Sequence, residues 1–182
     1  MVRRIILLIA VIFILTWLVI QRYEQLRIEA LNTRFFNNAK VALTLSVRDS
    51  FDSEIKPALN TFKHKEDNLL PFLSKLYPDT LPKALIDPFL VQDQPQRFLQ
   101  LRYGFVNHNN WTPPAEKISD KPVWFIWSNG ATGEISEITE TVDADSIRSF
   151  HFLSAPYDPT NGHSSVGYLY ADSMGNNIGR LK

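Results

Sequence analysis

The sequence predicts an α+β protein in which a long amino-terminal helix, first transmembrane and then amphipathic, packs on a small antiparallel sheet. Three observations carry that expectation. Residues 5–20 contain no charge, no Gly and no Pro. From Leu31 to Leu45 the apolar positions recur at three-to-four spacing, the period of a helix with one buried face. Beyond residue 96 apolar residues alternate instead, between turn signals, as half-buried strands do.

Residues 1–21 read as a membrane anchor, with lipid contacted through residues 5–20. At 1.5 Å per residue the apolar run covers ~24 Å, so it crosses a ~30 Å hydrocarbon core with help from its flanks. Trp17 suits an interface, and Arg3, Arg4 and Arg22 reach outward at the ends. The Leu, Ile, Val and Phe side chains together favour insertion by about 6 kcal/mol. Ile20 runs into Gln21-Arg22-Tyr23-Glu24 with no Ala-x-Ala, so an uncleaved anchor is expected rather than a removed signal. Arginines stand at both ends, so the charge rule does not set direction. A short amino end stays inside more readily than a large domain, which places the carboxyl-terminal domain outside.

Residues 22–56 read as the amphipathic continuation of the helix. No Pro or Gly occurs from Gln21 to Phe51. Leu31, Phe35, Ala39, Ala42 and Leu45 make one face, widened by Phe36, Leu43 and Val47, while Glu24, Arg27, Arg34, Lys40 and Arg48 fall mostly elsewhere. Residues 57–182 read as a globular head. It begins with a short apolar segment from Glu66 to Tyr77 and irregular chain punctuated by Pro78, Pro82, Pro88 and Pro95. Arg97–Val106 alternates, with Leu99, Leu101, Tyr103 and Phe105 on one side. Pro122–Ser128 is a strong strand ending at Asn129-Gly130, and Glu134–Thr141 is expected as its hairpin partner. Ser149–Ser154 and Ser165–Ala171 complete a sheet of three to four strands.

Composition narrows the function classes. Lys plus Arg and Asp plus Glu number 19 each, so the cationic footprint of a nucleic-acid binder is missing. There is no Cys, which removes disulfides, thiolate metal sites and a Cys nucleophile. The first Gly is Gly104, and no Gly-rich phosphate loop exists.

Four stretches bear a resemblance to known proteins. They are Phe36-Asn37-Asn38-Ala39-Lys40-Val41-Ala42-Leu43; Leu69-Leu70-Pro71-Phe72-Leu73-Ser74-Lys75-Leu76 with Ile86-Asp87-Pro88-Phe89; Trp127-Ser128-Asn129-Gly130-Ala131-Thr132-Gly133; and Tyr157-Asp158-Pro159-Thr160-Asn161-Gly162. In that order they resemble segments of type IV pilins and of the pseudopilins of type II secretion, the major pseudopilin above all. The resemblance implies a pilin-like fold and a single-pass protein of the inner (cytoplasmic) membrane. It also implies a non-catalytic structural or accessory role beside other pseudopilin-like or secretion-machine subunits. Two departures are plain. No Gly precedes the apolar run, and no Glu lies inside it, whereas the family uses the Gly for prepilin-peptidase cleavage and the Glu to pair with a neighbour's amino terminus. An unprocessed relative is therefore expected.

The same resemblance implies calcium in a carboxyl-terminal loop, for which Asp158, Asn161 and Asp172 are the matching residues. Calcium needs six to eight oxygens, and Asp158-Pro159 and Asn161-Gly162 also serve as ordinary turn residues. Asp143-Ala144-Asp145-Ser146 starts like an EF-hand loop, but Arg148 and Ser154 stand where Gly and Glu are required. The His residues, His64, His108, His151 and His163, show no metal-ligand spacing. His163-Ser164-Ser165 with Asp158 or Asp172 lacks a nucleophile elbow, so no enzyme is expected and an anchored hydrolase ranks last. Trp111, Trp124 and Trp127 leave a second reading, an anchored extracytoplasmic module that binds calcium or glycan. On that reading one face of the Trp124–Trp127 strand is surface aromatic.

Overall fold

The computed structural model describes residues 2–49, 73, 75–77, 87–89, 99–108, 121–130, 138–142, 148–153, 156–158 and 167–179. Helix α1 runs without interruption over Val2–Asp49. The strands are β1 (Gln100–His108), β2 (Val123–Ser128), β3 (Ile138–Val142), β4 (Arg148–Phe152), β5 (Leu169–Asp172) and β6 (Asn177–Ile178). They form one six-stranded sheet in the order β3-β4-β1-β2-β5-β6. The α+β layout expected from the sequence is present.

Two features of the sheet differ from expectation. It is mixed rather than antiparallel: β1 and β4 run parallel, with Phe105 opposite Ser149 and His108 opposite Phe152. In addition β3 does not return along β2. It pairs with β4, and β2 lies between β1 and β5. Alternation along a strand says which side chains share a face; it carries no information on which neighbour the backbone bonds, so both partners were open.

The helix divides at Ile28. Before it, residues 3–23 are exposed throughout. From it onward a stripe faces the sheet, with Phe35, Ala39 and Ala42 fully buried and Ile28, Phe36 and Leu43 nearly so. The stripe packs against β2 and β5. Ala39 and Ala42 lack bulk beyond Cβ, so the helix backbone can approach the sheet closely while Phe35 and Phe36 fill the space beside them, edge to face at 5.0 Å. Leu101 from β1, Trp124 and Ile126 from β2, and Leu169 and Ala171 from β5 complete this core, together with Leu73. Val47, expected to widen the stripe, is 37% exposed at its edge.

The opposite face of the sheet is a second core. Val106, Phe125, Phe150, Phe152, Tyr168 and Tyr170 are all buried there, with Trp127 packed against them. The expected exposed aromatic face of β2 is therefore corrected: Phe125 is fully buried and stacks on Trp127 at 5.5 Å. Gly104 allows this packing, because a Cβ at that position would run into the Arg148 carbonyl and the Phe150 ring across the β1–β4 pair.

Candidate assembly site

Three of the sequence stretches singled out above converge in space. Asp87 caps its own turn, its Oδ1 accepting from the Phe89 N–H at 3.0 Å. Its Oδ2 accepts from the Ser128 hydroxyl at 2.5 Å, at the end of β2. Ser128 Oγ in turn accepts from the Gly130 N–H at 3.2 Å. Gly130 has φ +69°, and a Cβ there would lie 2.8 Å from the Tyr157 ring. Tyr157 packs on Phe89 at 5.8 Å between ring centres, and its N–H donates to the Tyr168 carbonyl. Burial and the neighbouring Asp158 charge push the Tyr157 hydroxyl up to about 12, so it stays protonated at neutral pH. The junction fastens the chain around residues 87–89 and 156–158 to the β2 end.

The helix is tied in separately. Asn32, 1% exposed, donates through Nδ2 to the Gly179 carbonyl at 2.7 Å, joining the stalk to the chain after β6. Asn38, within the first of those stretches, is half-buried on the same segment as Ala39.

Of the calcium residues, Asp172 lies at the β5–β6 turn, Asp158 is exposed beside Tyr157, and Asn161 lies outside the described residues. The Asp172 carboxylate is surrounded by donors: Oδ1 accepts from the N–H groups of Met174 and Asn176, and Oδ2 from the Tyr170 hydroxyl and the Asn176 amide. A cation there would have to displace these donors. Among the described residues no three His, Cys, Asp or Glu side chains gather as a metal site. His163, Ser164 and Trp111 also fall outside the described residues.

Sequence reasoning missed His108. It is 3% exposed on the far face of the sheet, stacked on Phe152 and on Tyr168, which also touch each other, and edge-on to Tyr170. Its Nδ1 hydrogen-bonds the Tyr168 hydroxyl, while Nε2 is buried without a partner among the described residues. Burial lowers its pKa to about 4, so the ring is neutral in the folded protein at pH 7. The closing of β4 and β5 around it, from far downstream in the chain, has no local signature.

The first half of α1 is the other conspicuous surface. It is the one helix among the described residues long and apolar enough to cross a membrane, and none of its apolar window is buried. Phe13 is 72% exposed. The hydroxyl of Thr16 donates to the Ile12 carbonyl at 2.9 Å, so it is satisfied by the helix's own backbone. Arg22 at its end bonds Gln25 and reaches Glu29 at 4.0 Å. Compared with protein-family models, with curated proteins and with solved structures, the chain matches none.

Proposed function

We propose that this chain is a single-pass, non-catalytic structural or accessory subunit of a pseudopilin-like envelope machine, of the type II secretion or type IV pilus kind. On this reading its amino end lies in the cytoplasm and its head outside the inner membrane. The observation that carries the reading is the bipartite α1. One unbroken helix is apolar and bare over its first half and forms the spine of a sheet-bearing head over its second half. A bare apolar run of that length is unstable in water and stable in lipid, at about −6 kcal/mol of insertion energy. A helix that then continues into a packed core serves both as anchor and as scaffold. The convergence of Asp87, Ser128, Gly130 and Tyr157 supports the pilin resemblance, since three stretches chosen by pattern meet in one junction.

The test uses the absence of native Cys. The substitution Val41→Cys, at a helix position 38% exposed, gives a unique handle in membranes. The expected result has three parts: the chain resists alkaline extraction, protease added outside the inner membrane degrades the head, and the thiol introduced by Val41→Cys cross-links to secretion-machine subunits. A head protected from external protease, or a deletion strain that secretes normally and yields no such adduct, overturns the proposal.

A further inference from the structure

The back of α1, turned away from the sheet, carries a stripe without charge. It runs from Val19 through Tyr23, Leu26, Ala30 and Thr33 to Asn37, in alternating steps of four and three residues. Every member is exposed, Tyr23 at 66%. At about 100° per residue the stripe lies about 180° around the helix from Phe35, Ala39 and Ala42, which face the sheet. The hydroxyl of Thr33 donates to the Glu29 carbonyl at 2.9 Å, which leaves its methyl group for contact. Charges flank the stripe and do not enter it: Arg27 and Arg34 on one side, Arg22 and Glu29 on the other. Such steps make the seam of a parallel two-stranded coil. Tyr23, Ala30 and Asn37 fall at one of its core positions, and Val19, Leu26 and Thr33 at the other.

We infer that this seam joins two copies of the chain, parallel and in register, as a closed twofold dimer with a sheet on each outer side.

The content of the seam selects that occupant. Lipid covers only the lower end, because Ala30 and Asn37 stand ~15 and ~26 Å along the helix from Ile20, above a headgroup layer ~5–8 Å deep. The stripe also continues the exposed face of the anchor upward from Ile12 and Thr16. A partner that follows it across the lipid boundary must itself be a membrane-crossing helix. Beyond residue 49 no uncharged run is as long as residues 5–20, so no later segment of the same chain qualifies. A second copy does, and it fits the flanks. Glu29 and Arg34 stand five residues apart on opposite sides of the seam, the spacing at which charged side chains pair between parallel helices. Among the described residues Arg34 has no ion pair of its own. Arg22 and Arg27 share that spacing with like charge, but they lie within ~11 Å of Ile20 and reach headgroup phosphates. Asn37 meets Asn37 of the second copy, an amide pair of the kind that fixes strand number and register. Sliding one copy by a heptad would oppose Asn37 to Ala30, lose the Glu29–Arg34 pairs and shift one anchor by ~10 Å relative to the bilayer. Lys40, at the next seam position, opposes its own copy and ends the seam.

The inference rests on the proposed insertion of residues 5–20 in lipid, which sets both copies parallel. Its test is disulfide cross-linking by copper–phenanthroline, in native membranes, of full chains given a single thiol, since native Cys is absent. Ala30→Cys should give a disulfide-linked homodimer at about five times or more the yield of Gln21→Cys, an exposed position on the opposite side of the helix. Adding Arg34→Glu to Ala30→Cys should lower the yield about threefold or more, and adding Glu29→Arg to both should restore it. Ala30, Arg34 and Gln21 are exposed, so their variants should melt like the parent. When Ala30→Cys and Asn37→Cys chains are produced together, like-with-like products should exceed the mixed one. Equal yields from Ala30→Cys and Gln21→Cys overturn the inference, as do a predominant adduct with a different polypeptide and a charge swap that restores nothing. A predominant mixed product also overturns it, since a staggered contact propagates instead of closing. Alkaline extraction of the same membranes reports separately on insertion, so a chain that is not anchored is told apart from an anchored chain that does not pair.

Discussion

Replacing Phe35 by alanine tests whether the second half of α1 is the spine of the head. Phe35 is fully buried against the sheet and lies edge to face with Phe36 at 5.0 Å. Truncation removes the burial of an aromatic ring, the edge-to-face contact and the packing around both. Phe→Ala changes in cores cost about 3–5 kcal/mol, of which the ring pair accounts for about 0.5–1.5. For a protein of this size each kcal/mol lowers Tm by about 2–4 °C, so the expected drop is about 6–20 °C. The measurement is thermal unfolding of the full chain in a mild detergent, followed by tryptophan fluorescence, since Trp124 lies in the same cluster as Phe35. Phe13→Ala is the matched control, because the same ring on the same helix is 72% exposed there. It should leave Tm unchanged. Equal melting of Phe35→Ala and the parent, or equal shifts from both variants, would refute the division of α1 into a bare half and a packed half.

Two further outcomes follow from buried polar groups. His108 has a folded-state pKa of about 4 against 6.5 unfolded, so the unfolded chain binds the proton more readily and stability falls as pH drops from about 6.5 through about 4. The full loss is about 3 kcal/mol; urea midpoints measured across that window should decline for the parent and flatten for His108→Phe, and parallel curves would exclude His108 as the titrating group. At the junction, Ser128→Ala removes the hydroxyl that bonds Asp87 and accepts from Gly130, and should cost about 1–3 kcal/mol. Combined with Asp87→Ala, the double variant should be less destabilised than the sum by about 0.5–3 kcal/mol; strict additivity would mean that the pair does not interact.

Local periodicity carried the helix and its buried stripe into the sequence. Phe35, Ala39 and Ala42 sit where three-to-four spacing puts them, and the lack of Gly and Pro through residue 51 agrees with one continuous helix. The faces of β1 and β2 were legible for the same reason: Leu101 and Tyr103 share a side with Trp124 and Ile126. Pairing was not. Asn129-Gly130 reads as a hairpin signal, and Gly130 does adopt a positive φ, yet its use is to admit the Tyr157 ring rather than to return β3 along β2. Ile28, Asn32 and Ser46 extend the buried stripe beyond what the apolar pattern showed, because Asn32 is satisfied by Gly179 and Ser46 by the Ala42 carbonyl. Lys40 looked like a solvated residue at the flank of the stripe. Only the β5–β6 turn, brought alongside by long-range pairing, makes it one wall of a groove.

The continuity of α1 links these parts mechanically. With residues 5–20 in lipid, as proposed, the first fully buried residue of α1 is Ile28, only ~12 Å along the helix from Ile20. No Gly or Pro interrupts that interval, and Arg22 braces it by bonding Gln25 one turn on. A helix without a break point does not swivel the way a flexible linker does, so the base of the head rests close to the headgroup layer and its outward faces have fixed height and direction. Assembly through such a head does not require a charged pair inside the bilayer. On the proposed reading the anchor, with Thr16 satisfied by its own backbone, contributes position, and recognition falls to the head that the helix holds above the surface.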